Sequence, residues 1–387
     1  MIHYAKSTST FLLALAFLFP LTRGRTSDDT TPSKNGNTTA FREIRLHDIG
    51  YQAIEEYHYS GTGVPRNLDI LNDDYKKRLA FIDDKLLAVY FSHQPVNGNG
   101  GADSRNMEAL FIDPNSGTLI SRKAWTTRKR KWVNDRWDTQ ARILPVNNGF
   151  VVHAGSALVL YTSDQREMAK VALDDKFSWA AAVAVFGHTI HLQRIADSTQ
   201  AEGRWITSDT LKQLETQKEV PGVTSASDHA VAAKLAHCVR LQTLGESPRD
   251  LCCYDPCRLG LPEFLSNSEI LSAYPNGFIV LSDHGEKLWG REIAPSGNRV
   301  VANHARSLDG SHFAIALTSD RNIIFDQVQI AKGQPAILVY DRFSRTRVFV
   351  LQLGAVAGPF DVSFSPDGNI LAVLVGDSLR LYKTSSS

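Results

Sequence analysis

Beyond residue 40 the chain is a succession of short apolar runs separated by turn residues, with no amphipathic helical period longer than three turns. Runs of this length and alternation predict β-strands. The best second-strand candidates start at Leu86, Phe150, Ile190, Val231, Ile270, Phe313 and Ile370, so successive spacings are 64, 40, 41, 39, 43 and 57 residues. A period of about 40 to 45 residues with four strands per unit is what a propeller blade produces.

The turns support that register. They read Ile82-Asp83-Asp84-Lys85, Val146-Asn147-Asn148-Gly149, Ala226-Ser227-Asp228-His229 and Leu265-Ser266-Asn267-Ser268, followed by Ser307-Leu308-Asp309-Gly310-Ser311 and Ser365-Pro366-Asp367-Gly368-Asn369. Asp and Asn tolerate the left-handed region and can bond their own backbone, and Gly enters it without a Cβ penalty. Third strands end at Asp113, Asp164, Asp209, Asp283 and Asp341, and a fourth follows most of them. The last unit offers three strands, Phe360 to Phe364, Ile370 to Val375 and Ser378 to Lys383, while Phe41 to Ile49 is a spare strand at the other end. Together they complete one blade and hide an unpaired edge. The expected fold is therefore all-β: a propeller of about seven four-stranded blades, closed by pairing of an N-terminal strand with the C-terminal blade. Six or eight blades stay open, because the 64- and 57-residue gaps could each hide or waste a strand.

The run Phe364-Ser365-Pro366-Asp367-Gly368-Asn369-Ile370-Leu371-Ala372-Val373, with Leu379-Arg380-Leu381-Tyr382 after it, resembles the WD40-like or YVTN-type β-propeller proteins of secreted bacterial origin. Phe81-Ile82-Asp83-Asp84-Lys85-Leu86-Leu87-Ala88-Val89 and Val339-Tyr340-Asp341 follow the same pattern. The chain is especially similar to a large set of uncharacterised acidobacterial propellers, over roughly residues 41–384. The resemblance implies a fold more than a function. No blade ends in a Trp-Asp pair, so the internal hydrogen-bond network of the eukaryotic subtype is not implied. Nor does the resemblance to quinoprotein-like propellers carry over any cofactor site, and no cofactor is expected.

The N-terminus adds a compartment. Lys6 precedes an apolar run of 11 residues, Phe11 to Leu21, which suits a secretory signal over residues 1–25 and is short for a helix crossing about 30 Å of hydrocarbon. An uncleaved anchor or a buried strand is the alternative, since Thr22-Arg23-Gly24-Arg25 is a poor cleavage site. Residues 26–40 read as a flexible polar leader containing the sequon Asn37-Thr38-Thr39, and residues 41–387 as one propeller domain. A secreted or periplasmic, monomeric protein without a transmembrane segment in its mature chain is expected.

In that compartment Cys238, Cys252, Cys253 and Cys257 are expected to form two disulfides, with Cys238–Cys252 and Cys253–Cys257 favoured because a vicinal bridge strains the backbone. A metal or redox site is the alternative, although the spacing lacks a C-x-x-C.

Charge excludes one class of partner. Of 387 residues, 42 are Lys or Arg and 41 Asp or Glu, a formal net charge of +1 that argues against a dedicated nucleic-acid binder. One local exception is the stretch Arg122-Lys123-Ala124-Trp125 through Arg128-Lys129-Arg130-Lys131-Trp132 to Arg136-Trp137. Trp125, Arg128, Lys129, Arg130, Lys131, Trp132 and Arg136 are a candidate polyanion or carbohydrate patch. The bland alternative is a solvated fourth strand whose Trp packs on a neighbouring blade.

Catalytic signatures are missing. There is no G-x-S-x-G, H-E-x-x-H, P-loop or G-x-G-x-x-G, and no metal site is expected. His188 and His191 are three apart in a strand and face opposite ways. His229 and His237 fall in one unit and read as structural, and Asp103 in its Gly-rich loop lacks the acidic density of a calcium site. The leading expectation is a non-enzymatic binding module for an unknown protein or carbohydrate. The rivals are a lactonase-like hydrolase or quinoprotein-like oxidoreductase with a channel site, and one part of a larger secreted complex.

Overall fold

The computed structural model describes residues 39–51, 77–93, 104–128, 141–174, 181–195, 201–219, 223–234, 238–252, 261–274, 277–292, 301–319, 321–354 and 360–384. The chain separates into Met1–Gly36 and Asn37–Ser387, and all described residues belong to the second unit. The candidate signal and most of the leader lie outside the described residues.

Seven four-stranded antiparallel sheets account for nearly all of the structure. An N-terminal strand β1 (Arg42–Arg45) comes first. Blade 1 is then β2 (Arg78–Asp83), β3 (Leu86–His93), β4 (Ser104–Ile112) and β5 (Leu119–Arg128). Blade 2 is β6 (Arg142–Val146), β7 (Gly149–Ala154), β8 (Ala157–Thr162) and β9 (Glu167–Ala172). Blade 3 is β10 (Ala181–Val185), β11 (Thr189–Ile195), β12 (Ala201–Thr207) and β13 (Gln213–Glu219). Blade 4 is β14 (Val223–Ala226), β15 (Ala230–Lys234), β16 (Val239–Thr243) and β17 (Arg249–Cys252). Blade 5 is β18 (Leu261–Ser266), β19 (Glu269–Tyr274), β20 (Gly277–Ser282) and β21 (Lys287–Glu292). Blade 6 is β22 (Val301–Arg306), β23 (His312–Leu317), β26 (Ala336–Asp341) and β27 (Thr346–Gln352), interrupted by a ribbon of β24 (Ile323–Phe325) and β25 (Val328–Ile330). Blade 7 is β28 (Phe360–Phe364), β29 (Ile370–Val375) and β30 (Ser378–Lys383), with β1 as its fourth strand. Each expected second-strand start falls within one residue of the observed one.

The first strands lie side by side around the axis. β28 neighbours β2, then β6, β10, β14 and β18 follow in turn, and β22 returns the ring to β28. β1 closes it, with Arg42 opposite Leu381 and Arg45 opposite Ser378.

Apolar packing lies between blades. Second and third strands are covered on both faces, which is why segments such as His312–Leu317 and Ile370–Val375 are almost continuously apolar. Outer strands meet water on one side and alternate, as in Glu167–Ala172. One cluster joins blade 7 to blade 1 through Ile44, Leu46, Leu79, Leu87, Leu379 and Leu381. Others join blades 1 and 2 through Phe111, Phe150 and Tyr161, and blades 6 and 7 through Val339, Phe349, Phe364 and Tyr382. Between blades 3 and 4, Trp205 packs against Ala226, Val231 and Ala233 among the described residues.

The 57-residue spacing conceals an insertion, not a blade. The ribbon drops Ile323, Phe325, Val328 and Ile330 into the aromatic cluster of Phe278, Trp289, Phe313 and Tyr340, filling the groove between blades 5 and 6. Its two-residue loop, Asp326-Gln327, has φ of 45° and 64°, both left-handed, which matches the right-handed twist of a tight hairpin. Asp326 anchors the tip. Its carboxylate meets Arg291 Nε at 3.1 Å and Arg347 Nη1 at 3.2 Å, and accepts from the Tyr340 hydroxyl at 3.0 Å. Burial first, and then the Asp326 charge, push the Tyr340 phenol above its ordinary pKa, so it remains a donor.

Candidate functional site

Two kinds of side chain hold the innermost ring together. The first strands have one hydrogen-bonding edge with no sheet partner, and polar side chains from the preceding blade reach across to it. Asp361 Oδ2 accepts from Leu79 N at 2.8 Å, Ser363 Oγ from Phe81 N at 3.2 Å, and Ser225 Oγ from Phe264 N at 2.9 Å. Between blades 5 and 6 the link is ionic: Glu263 Oε2 lies 3.2 Å from His304 Nε2 and Glu263 Oε1 lies 3.4 Å from Arg306 Nε. Burial would raise the Glu263 carboxyl, but contact with His304 and the nearby Arg306 holds it below its ordinary value.

The turns joining first to second strands converge at one end of this ring around an open cavity of about 460 Å3. Asn147, Phe186, His188, Asp228, Ser266, Asn267, Leu308, Asp309 and Pro366 line it, so six of the seven blades contribute. The turns brace one another. Asn147 N donates to Gly187 O at 3.1 Å, and the Asn147 amide donates to His188 Nδ1 at 3.0 Å. Asn267 Nδ2 donates to Asp228 Oδ2 at 2.9 Å, and Asp228 N returns a bond to Asn267 Oδ1 at 3.3 Å. In blades 6 and 7 the same local device recurs: Ser307 Oγ donates to Asp309, and Ser365 Oγ to Asp367, each at 2.6 Å. Burial pushes both carboxyls up, yet these hydroxyls and the following backbone N–H groups hold them below the usual carboxylate range. Gly310 turns this corner at φ 68°, and a Cβ there would lie 1.9 Å from Leu265 O of the neighbouring blade.

Phe186 forms part of the cavity wall from a backbone with φ 42°, a conformation few aromatic residues adopt. It packs against the apolar clusters that contain Trp205 and Phe264, and the guanidinium of Arg306 lies 4.6 Å from its ring centroid. The partners come from blades 3 and 6, on different sides of the ring.

The turns between third and fourth strands lie on the same face. Backbone bonds tie them to the inner turns: Ser208 N to His188 O, Leu244 N to His229 O, Asp283 N to Ser268 O, Arg342 N to Ser311 O and Thr384 N to Asn369 O, at 2.7 to 2.9 Å. The face is acid-rich. Its turns carry Asp84, Asp113, Asp164, Asp209, Asp228, Glu246, Asp283, Glu286, Asp309 and Asp367 against Lys85, Arg166, Lys212, Arg342 and Arg345. Burial, then the charges of Asp367 and Asp83, push the Asp84 carboxyl above its ordinary value. Among the described residues no group of three His, Cys, Asp or Glu is arranged to hold a metal ion.

The sequence-derived candidates fall elsewhere. Trp125 is half-buried on the outer strand of blade 1, where its Nε1 donates to Tyr161 OH at 3.0 Å across the interface with blade 2. Arg128 pairs through its backbone with Ser104. Lys129, Arg130, Lys131, Trp132 and Arg136 lie outside the described residues, as do Asp103, His237, Cys253 and Cys257. Cys252 ends β17 with its backbone opposite Val239. His188 lies in the turn before β11, not in a strand as expected, and is exposed at the cavity, whereas His191 within β11 is fully buried. Phe186 and Arg306 escaped the sequence reading, because Phe186-Gly187-His188 carries no Asp or Asn to mark it as a turn.

Solved structures share this architecture. The Neurospora crassa Pan2 WD40 domain superposes with a TM-score of 0.50 at 9% identity, covering 81% of this chain and 90% of that chain. The fold is a WD40-like β-propeller. Kluyveromyces lactis Hsv2p (TM-score 0.44, 12% identity, 78% and 88% covered) and a chain of a mitotic checkpoint complex (0.47, 12%, 97% and 99%) are more loosely similar. Likeness at these identities concerns the fold alone. No family model matches the chain, and no curated protein matches it.

Proposed function

We propose that the chain is an exported, non-enzymatic interaction module that binds a protein partner on the face built by the paired turns. The observation that carries this reading is the face itself: a braced, acid-rich ring of turns around a central cavity. Rigid loops on a scaffold present recognition groups at low entropic cost, and a surplus of carboxylates favours a partner with a basic surface. Described inner-strand side chains such as Asp361, Ser363 and Ser225 are engaged in holding blades together, whereas the turns point outward from the ring. Among the described residues no helix is long and apolar enough to cross a membrane.

The test is capture with chemical cross-linking from the native extract, using the full chain and a variant with Asp113, Asp209 and Glu246 changed to Lys. A second variant, Glu167→Lys on the outer strand of blade 2, is the control. Partners retained by the control and lost by the triple variant are expected. An identical partner set on all three proteins overturns the reading.

Export also predicts oxidised cysteines. The pairing of Cys252 with Val239 sets the backbone of Cys238 close to that of Cys252, in support of a Cys238–Cys252 bridge with Cys253–Cys257 as the second. Peptide mapping of unreduced protein should recover these two links, and reduction should lower stability by about 2–4 kcal/mol. Four free thiols in denatured, unreduced protein would remove the proposal.

A further inference from the structure

Every blade ends in a strand with a free edge, and each of these edges is blunted. The seven outer strands, from β1 to β27, all carry at least one Lys or Arg. Charge on an edge strand disfavours pairing with another molecule. The ribbon departs from this pattern: Ile323-Ile324-Phe325 and Val328-Gln329-Ile330 hold no charged residue.

The two edges of the ribbon differ. Its two-residue loop makes Phe325 and Val328 a hydrogen-bonded pair, so at the next pair, Ile324 and Gln329, the backbone N–H and C=O groups point away from the ribbon. On the β25 side the Gln329 carbonyl accepts from Gln352 Nε2 at 2.8 Å, which ties that edge to blade 6. On the β24 side no strand pairs with Ile324 among the described residues. The Ile324 residue is 70% exposed, while Ile323 and Phe325 are buried in the groove.

We propose that β24 pairs with β24 of a second copy of this chain, antiparallel about a two-fold axis at Ile324. The two Ile324 residues then exchange both N–H···O=C bonds and set their side chains directly opposite each other on the solvent face. Direction follows from charge. Arg321 precedes the strand and Asp326 follows it, so the antiparallel arrangement brings the basic end of one copy to the acidic end of the other. A parallel arrangement would set like charges side by side. Both copies use the same patch, so the assembly closes at two. Two hydrogen bonds and one apolar pair make a weak, reversible contact. It forms at low ordering cost, because the ribbon is already seated against Trp289 and Phe313 and its tip is held by Arg291 and Arg347. The inference is independent of what the turn face binds. Two joined copies carry two such faces, so a partner with repeated sites would be held by both.

Sedimentation velocity of the full chain should show a mass that rises with concentration, levels at two copies and returns to one on dilution. Ile324→Lys sets like charges opposite each other across the axis and should remain a single copy at every concentration. Phe343→Lys alters an equally exposed residue on the turn face and should dimerise as the native chain does. Unchanged unfolding midpoints show that both variants are folded. Ile324→Cys reads the register. A hydrogen-bonded antiparallel pair places Cα atoms about 5.5 Å apart, within the span of a disulfide, so mild oxidation should join two copies through that position. Phe343→Cys should give no such link. A mass that stays at one copy, a mass that climbs past two, native-like dimerisation of Ile324→Lys, or equal cross-linking of the two cysteine variants overturns the inference.

Discussion

Glu219→Ala should destabilise the protein by about 3 kcal/mol or more, because removing a buried acceptor strands several donors at roughly 1–3 kcal/mol each. Glu219 and His191 are both fully buried, with His191 Nε2 2.9 Å from Glu219 Oε1. The other carboxylate oxygen accepts from Gln193 Nε2 at 2.9 Å, and Gln217 Nε2 approaches Oε1 at 3.3 Å. Truncation strands these donors in the buried interior. Gly203 provides the space, since a Cβ there would lie 1.8 Å from Glu219 Oε1 and no flexible tip could yield in a network so closely bonded. Gly203→Ala should therefore destabilise strongly in the native background and far less once Glu219 is Ala. Urea unfolding of the four proteins of the cycle gives both numbers. A cost below about 1 kcal/mol for Glu219→Ala, or additive effects of the two changes, would show that the network does not hold this seam.

The second large effect concerns closure. A chain beginning at residue 52 lacks β1 and loses the burial of Ile44, Leu46 and Tyr51, which are 6%, 0% and 9% exposed. At about 1.5–3 kcal/mol for each large apolar side chain, the loss is on the order of 5 kcal/mol. It also bares the edge of β30, which then invites pairing with other molecules. Such a chain should unfold at lower denaturant and self-associate in size-exclusion with light scattering, whereas a chain beginning at residue 39 should behave as the full-length protein. An unchanged midpoint and a single sharp monomer peak for the shorter chain would contradict this account.

Much of the fold is legible in the sequence because the determinants are local. A second strand buried on both faces must be apolar throughout, and the turn before it must tolerate left-handed backbone, so Ser365-Pro366-Asp367-Gly368 announces its own geometry. The spare strand expected over Phe41 to Ile49 is readable by counting alone, but only Arg42–Arg45 pairs as strand and Leu46–Ile49 coils into a 3-10 turn. The ribbon was not, because Ile323–Phe325 and Val328–Ile330 are only three residues each and make sense only against Trp289 and Phe313. The cavity was still less visible. Its residues sit in six turns spread from Asn147 to Pro366, and Phe186 acquires meaning only once Arg306 is beside it. The buried pair is hidden for the same reason: His191 and Glu219 lie 28 residues apart, each at an ordinary strand position.

Pairing Arg42 with Leu381 also dictates the order of events at the ribosome. The strand made first belongs to the sheet made last, so it must wait, unpaired, while six other blades emerge. A nascent chain halted before residue 378 keeps an open ring, and only release of the final segment lets the circle shut. Joining residue 384 to residue 41 through a short tether and cutting the chain between two other blades would abolish that wait without altering a single interstrand contact.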